Sequence, residues 1–250
     1  MIKLYTEDDF KKLRIAGKLA HDLLDYITQF VVPGVSTEKL NNLCHEFTIK
    51  HDALSAPLGY MGYPKSICTS VNDEICHGIP SESVILKEGD IINIDVTVIK
   101  DGYYGDSSRM FGVGKISKNA QRLIDVTKQC LYLGIDALYD GCFVSDIGKA
   151  IEPYAKGKGY SVVRDFVGHG IGTVFHDDPY IYHYVNTDSP DVMLKKGMVF
   201  TIEPMINEGV YEAVMDKEND WTAYTADGKL SAQWEHTMAI TYDGSIEIFT

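Results

Sequence analysis

The sequence predicts an α+β fold built from two pseudo-symmetric halves, and three observations carry that expectation. Apolar residues at helical spacing come in pairs of segments, and such a pair occurs twice along the chain. Each pair is followed by short segments of alternating, β-branched character. A ten-residue pattern also recurs 108 positions apart: Leu86-Lys87-Glu88-Gly89-Asp90-Ile91-Ile92-Asn93-Ile94-Asp95 and Leu194-Lys195-Lys196-Gly197-Met198-Val199-Phe200-Thr201-Ile202-Glu203. In both copies a Lys-x-Gly turn feeds an apolar strand that ends in an acid. The expected division is one domain over residues 1–250, with halves of roughly 1–115 and 116–250.

In chain order, Thr6-Glu-Asp-Asp opens a helix whose apolar stripe is Phe10, Leu13, Ala16, Leu19, Leu23, Leu24 and Ile27. Acids in its first turn suit the positive end of the helix dipole, and Pro33-Gly34 breaks it. Ser36-Thr37-Glu38 starts a second helix with Leu40, Leu43 and Phe47 inside. Short strands are expected around residues 66–70 and 73–77, then a hairpin of residues 91–98 and 105–111 turning at Lys100-Asp101-Gly102. The second helix pair spans 117–134 and 144–157, with Gly141 between. Extended structure returns at 160–164 and 165–174. A second carboxylate strand is expected over 199–205 and a late strand of the same sheet over 233–241.

Period-two alternation puts the polar residues of these strands on one face. Asn93, Asp95 and Thr97 share one, and Gln233, Glu235 and Thr237 another; Thr201 and Glu203 repeat the pattern. Asp106 sits on the return arm of the first hairpin. A lone acid at a strand end is usually a solvated edge group, but duplication lifts Asp95 and Glu203 above that reading. Four inward acids are costly unless something pairs with them. Asp95, Asp106, Glu203 and Glu235 together would balance two divalent cations, and carboxylates that bridge ions about 3.5–4 Å apart are the usual two-metal arrangement. With one imidazole added, such oxygen-rich ligation suits Mn, Fe, Co or Zn better than a thiolate site would.

Three of the eight histidines stand out. His77 ends a strand in Cys76-His77-Gly78-Ile79-Pro80, and His169 and His176 bracket a Gly-rich segment that permits close backbone approach. His21, His45, His51, His183 and His236 carry no such signal. Gly168-His-Gly-Ile-Gly172 has neither phosphate-loop spacing, and no nucleophile elbow is present.

Composition excludes other classes. The 250 residues are 45% hydrophobic and 24% charged, ordinary for a globular protein. A formal charge of −13 opposes nucleic acid or an anionic membrane as primary partner. Five scattered cysteines without C-x-x-C suit a reducing cytoplasm. No signal-peptide pattern or membrane-length apolar run occurs. A cytoplasmic enzyme, with nothing demanding more than a monomer, is the resulting expectation.

At this point the motifs resemble a known family, the type I methionine aminopeptidases. The resemblance is carried by Gly62-Tyr-Pro-Lys-Ser-Ile-Cys68, Asn72-Asp-Glu-Ile-Cys-His-Gly-Ile-Pro80, Asn93-Ile-Asp-Val-Thr97 and Gly105-Asp-Ser-Ser108. Gly168-His-Gly-Ile-Gly172, Thr201-Ile-Glu-Pro-Met205 and Ser231-Ala-Gln-Trp-Glu-His-Thr237 complete it, in family order over essentially the whole chain.

The likeness implies the pita-bread fold: pseudo-twofold halves forming a curved antiparallel sheet flanked by helices. It implies two divalent ions (Co, Mn, Fe or Zn) held by Asp95, Asp106, His169, Glu203 and Glu235, with Asp106 and Glu235 bridging. A metal-bridged hydroxide would attack the first peptide bond of a nascent chain that begins with methionine and a small residue. His176 would stabilise the oxyanion, His77 would bond the scissile amide, and Glu203 would also shuttle the proton. Tyr60, Tyr63, Cys68, Phe175 and Trp221 would wall the methionine pocket.

Met61 departs from bacterial members, which commonly carry a histidine or another polar residue near the pocket mouth, so tolerance for the second substrate residue is left open. Basic residues after the third metal motif help some members dock on the ribosome. Here residues 206–230 hold six acids against Lys217 and Lys229, so only weak, transient ribosome contact is expected. Two rival readings are an aminopeptidase P or prolidase, which carry a sizeable N-terminal domain that this chain lacks, and a metal-free binding module. Filled ligand positions argue against the second.

Overall fold

The computed structural model of the chain describes residues 2–250. Helix α1 (Glu7–Thr28) begins at a reciprocal cap: the Thr6 hydroxyl accepts the Asp9 N–H at 3.3 Å, and the Asp9 carboxylate accepts the Thr6 N–H at 2.8 Å. Helix α2 (Thr37–Lys50) begins where the Ser36 hydroxyl accepts the Lys39 N–H. Three short strands follow, β1 (Leu54–Ser55), β2 (Cys68–Val71) and β3 (Glu74–Cys76). The hairpin β4 (Ile91–Lys100) and β5 (Tyr103–Gly112) turns at Asp101-Gly102. Both turn residues have positive φ, 51° and 81°, as two-residue hairpin turns require. Asp95 therefore stands inside a long strand, as the expected arm of residues 91–98 places it, and not at the strand end that the duplicated pattern suggests.

The second half opens with α3 (Lys118–Asp136), capped by Ser117, and α4 (Val144–Gly157). Strands β6 (Ser161–Val162), β7 (Gly168–Gly170) and β8 (Asp177–Ile181) come next. Most of 165–174, expected to be extended, is loop. The strand expected over 199–205 is two strands, β9 (Val199–Ile202) and β10 (Met205–Asn207). Pro204 explains the break, because it has no N–H to give a ladder. β11 (Ala213–Met215) and β12 (Ala223–Thr225) form a hairpin that the sequence reading missed. The late strand is also divided, into β13 (Ser231–Gln233) and β14 (Glu235–Ile240), before β15 (Ile246–Ile248) ends the chain.

These breaks have a common consequence. β9 and β14 belong to a nine-stranded antiparallel sheet of order β1-β4-β5-β14-β9-β7-β8, with β2 also on β4 and β15 on β14. β10 and β13 pair with each other in a small separate sheet. Glu203 and Glu235 thus lie where the chain leaves one sheet for another. Within the large sheet, Asp95 and Glu235 flank the same residue, Ser108, on the strand between them.

Helices cover one side of this sheet in two groups. α1 and α2 bury Leu23, Leu24, Leu40 and Cys44 against Ile92, Ile94 and Val96 of β4. α3 and α4 bury Leu123, Leu131, Ile147 and Ile151 against Phe200, Ile202 and Met238. A third cluster, including Phe10, Leu13, Val199 and Phe249, joins the halves. The apolar residues of the strands serve these cores, which leaves the polar set on the opposite face.

Close approach of α1 depends on Gly105. A Cβ there would lie 2.4 Å from the Ala16 carbonyl oxygen, with no flexible side chain to yield. Gly105→Ala should destabilise the fold by about 1–3 kcal/mol through forced displacement of α1 from β5. Urea unfolding at fixed metal concentration checks this, and an unchanged midpoint would refute it.

Candidate metal centre and substrate cavity

The polar face of the sheet forms the floor of a cavity of about 400 Å³. Asp95, Asp106, His169, Glu203 and Glu235 all line it, as do His77, His176, Tyr60, Tyr63, Cys68, Phe175 and Trp221. Each site residue expected from the sequence therefore opens onto one space. One ligand atom each from Asp106, His169 and Glu235 can be chosen so that all lie within 4.8 Å of one another. His169 Nε2 is also 3.6 Å from Glu203 Oε1 and 3.7 Å from Asp106 Oδ2. Asp95 stands two residues along β4 from Thr97, which pairs with Asp106 across the ladder.

Hydrogen bonds aim these groups. Thr97 donates to Asp106 Oδ1 at 2.7 Å, and Thr201 donates to Glu203 Oε1 at 2.8 Å. Gln233 Nε2 donates to the other Glu203 oxygen at 3.1 Å. Thr237 ties β14 to Asp106 by accepting its N–H and donating to its carbonyl. His169 Nδ1 lies 3.0 Å from the Gly170 carbonyl, which can only accept. Nδ1 therefore carries the proton, and Nε2 presents a bare lone pair to the acids.

The electrostatics are one-sided. Among the described residues, no Lys or Arg lies within ion-pair distance of the four acids. Burial pushes the Asp106 carboxyl up to about 7, against the lowering effect of the Thr97 hydrogen bond. Burial first, and then the Asp106 charge, holds Asp95, Glu203 and Glu235 well above the usual carboxylate range. Burial also depresses His169 to about 3, so it is neutral at pH 7. Clustered, oriented carboxylates without a counter-charge beside a neutral imidazole fit a divalent cation.

Above this floor the walls are aromatic and sulfur-bearing. Trp221 meets Tyr63 edge-on at 5.1 Å, and Phe175 packs on Tyr60 at 4.8 Å. Tyr63 is buried and donates to the carbonyls of Gly78 and Ile67. His77 lies edge-on to Phe166 at 5.3 Å and adopts φ 57°, a left-handed backbone uncommon outside glycine. His176 sits at the open side, its ring 4.2 Å from that of His169. Met61 stands at the mouth, 81% exposed.

Several contributors gave no signal in the sequence. His183, set aside there, is buried, and its Nε2 accepts the Glu203 N–H at 3.0 Å. It thereby replaces the ladder bond that Glu203 loses on leaving β9. Tyr5 is buried beneath the Gly-rich segment, where its hydroxyl accepts the Thr173 N–H. A Cβ on Gly172 would fall 2.2 Å from the Tyr5 ring, so glycine is required at that crossing. Cys76, Phe166 and Met205 also line the cavity. Only a fold places any of these near the acids.

The model of metallopeptidase family M24 matches residues 11–242. The chain is 54% identical to the methionine aminopeptidase of Rickettsia prowazekii over 249 residues, spanning all of this chain and 95% of that one. It is 54% identical to methionine aminopeptidase A of Synechocystis, covering all of this chain and 97% of that relative. The crystal structure of methionine aminopeptidase from Rickettsia prowazekii superposes with a TM-score of 0.96 at 54% identity, covering both chains fully. The curled antiparallel sheet with four flanking helices is therefore the pita-bread fold, and the chain belongs to metallopeptidase family M24.

Proposed function

We propose that the chain is a metal-dependent methionyl aminopeptidase that removes the initiator methionine from nascent proteins whose second residue is small. The observation that carries this reading is the cavity itself: an uncompensated carboxylate floor under walls of aromatic rings and sulfur. Relatives named methionine aminopeptidase match it from end to end at 54% identity, which weighs against a prolidase or a metal-free module. The whole chain acts as one catalytic domain, a view supported by a sheet that draws strands from both halves.

In this reading Asp95, Asp106, His169, Glu203 and Glu235 would hold two divalent ions, and Co, Mn, Fe or Zn would all be acceptable to this oxygen-rich set. When bound, such ions supply a Lewis acid for the scissile carbonyl and make the attacking water acidic. Glu203 takes the proton of that water and passes it to the departing amine. His77 bonds the scissile amide, and His176 donates to the oxygen that gains charge. Tyr60, Tyr63, Cys68, Phe175 and Trp221 receive the methionine side chain; a thioether against an aromatic edge is worth about 0.3–1.5 kcal/mol. Met61 borders the second substrate residue. The enzyme works as a cytoplasmic monomer, and no helix is long and apolar enough to cross a membrane among the described residues.

Hydrolysis of peptides beginning Met-Gly, Met-Val and Leu-Gly, with each metal in turn, tests the assignment. Met-Gly should be cleaved fastest, and Glu203→Ala should lower kcat at least 100-fold. Leucine cleaved as readily as methionine would overturn the pocket, and a wild-type protein inert with every metal would favour the binding module.

Metal removal should expose the acids' mutual repulsion. An acid whose folded pKa is raised binds more protons folded than unfolded, so stability falls as pH rises from about 4 to the folded value. His77, His169 and His183, held at about 4, 3 and 3 by burial, oppose this only up to about 6.5. Above that pH the acids dominate; Glu74, raised to about 7 by burial, adds in the same direction, as do the five cysteines, which burial raises above the ordinary thiol value. Metal-free protein should therefore lose thermal stability from pH 6.5 to 8.5, and the metal-loaded protein much less. Metal binding near pH 7 should release protons, seen as a buffer-dependent calorimetric heat. Equal pH slopes with and without metal would contradict the assignment.

Ribosome contact should be weak, because the segment of residues 206–230 is acidic. Co-sedimentation should disappear at physiological salt, and tight association insensitive to salt would refute this.

A further inference from the structure

The Tyr60 hydroxyl lies 3.0 Å from Nδ1 of His176, with the two ring centroids 5.1 Å apart. It is the only hydrogen bond of that hydroxyl among the described residues. Tyr60 reaches this place on an unusual turn. Gly59, Met61 and Gly62 all have left-handed backbone, with φ of 82°, 48° and 92°. Met61 is the informative one, because a residue with a Cβ avoids this region, and its largely exposed side chain does nothing to hold it there. The turn is instead fixed by backbone bonds, Gly59 N–H to the Tyr63 carbonyl and Tyr63 N–H to that of Tyr60, both 2.8 Å. Strain of this kind, once observed, asks for a function. Here the result of the strain is the aim of one phenol at one imidazole nitrogen.

We propose that Tyr60 is a positioning residue, beyond its part in the pocket wall, that holds His176 in the tautomer bearing its proton on Nε2. A phenol O–H donates well, and burial together with Tyr104 raises its pKa, so it is protonated at neutral pH. Nδ1 is then the acceptor, and the proton of a neutral ring resides on Nε2. The neighbouring ring shows the opposite arrangement. His169 gives its Nδ1 proton to the Gly170 carbonyl and keeps Nε2 bare. Two histidines on one Gly-rich segment, 4.2 Å apart, are thus made chemically opposite by what each Nδ1 meets. A carbonyl makes a lone-pair donor suited to a cation, and a phenol makes an N–H donor suited to an oxyanion. The contact between the phenol and Nδ1 stands on geometry; the consequence of the proposed tautomer for catalysis rests on the aminopeptidase reading.

The test uses Tyr60→Phe, which keeps the ring against Phe175 and removes only the hydroxyl. Zinc-loaded protein with ¹⁵N-labelled histidine reports which ring nitrogen carries the proton, and His176→Gln assigns the signals. Wild type should show His176 unprotonated at Nδ1, and the variant a mixture of tautomers with the His169 signals unmoved. On a Met-Gly peptide, kcat should fall about 10–100-fold with KM nearly unchanged. Trp221→Leu, a wall change whose ring meets Tyr63 and His77 rather than Tyr60 or His176, should raise KM and leave the tautomer in place. An unaltered His176 tautomer in Tyr60→Phe, or a raised KM with kcat intact, would overturn the proposal. A tautomer shift in a protein that cleaves no methionine peptide would uphold the positioning role and overturn the aminopeptidase reading instead.

Discussion

Confinement of four carboxylates on one face of a sheet, with no Lys or Arg among the described residues to answer them, is the constraint on which the other features depend. Each acid loses solvation on burial, and each raises the cost of ionising its neighbours. Like charges so placed are tolerable if protons or cations compensate them, so the site and the stability of the fold are linked. The surrounding hydroxyls and amides orient the oxygens without neutralising them: Thr97, Thr201 and Gln233 donate hydrogen bonds but bring no charge. Compensation is left to whatever enters the cavity.

Holding such a cluster requires a stiff frame, and the two apolar cores behind the sheet provide it. α1 and α2 grip β4, while α3 and α4 grip β9 and β14. Tight backbone crossings lock these layers, as at Gly105 under α1 and Gly172 over Tyr5. Neither half encloses the site alone. Asp95 and Asp106 come from the first hairpin, whereas Glu203, Glu235 and His169 come from the second half. Their meeting depends on β5 pairing with β14, a long-range contact.

Helices, the first hairpin and the acid set were legible in the sequence because each leaves a local mark. Caps at Thr6, Ser36 and Ser117, the Asp101-Gly102 turn and period-two polarity are all readable within a few residues. The duplicated pattern made Asp95 and Glu203 conspicuous, yet it overstated their equivalence. Asp95 continues within an unbroken ladder, and Glu203 precedes a proline that ends one. Pro204 was visible, but the departure into a second sheet also needed β13 as a partner, which no local pattern announces. His183 and Tyr5 were illegible for the same reason: each meets the site through one hydrogen bond to backbone remote in sequence.

Symmetry of the scaffold leaves a chemical problem that the histidines answer. Two similar halves, each giving a pair of acids, would build a centre with no preferred direction for a substrate. His169, His176 and the loop between them occur in the second half alone, and their rings differ in which nitrogen is bare. That difference costs no charge and no change of residue type; it follows from whether a carbonyl or a phenol lies beside Nδ1. A neutral imidazole can act as lone-pair donor or as proton donor, and burial keeps His169 neutral by holding its pKa low. The local partner then decides the role. Direction therefore enters this site through the neighbours of two rings, while the ligand-rich floor supplies the charge that both must face.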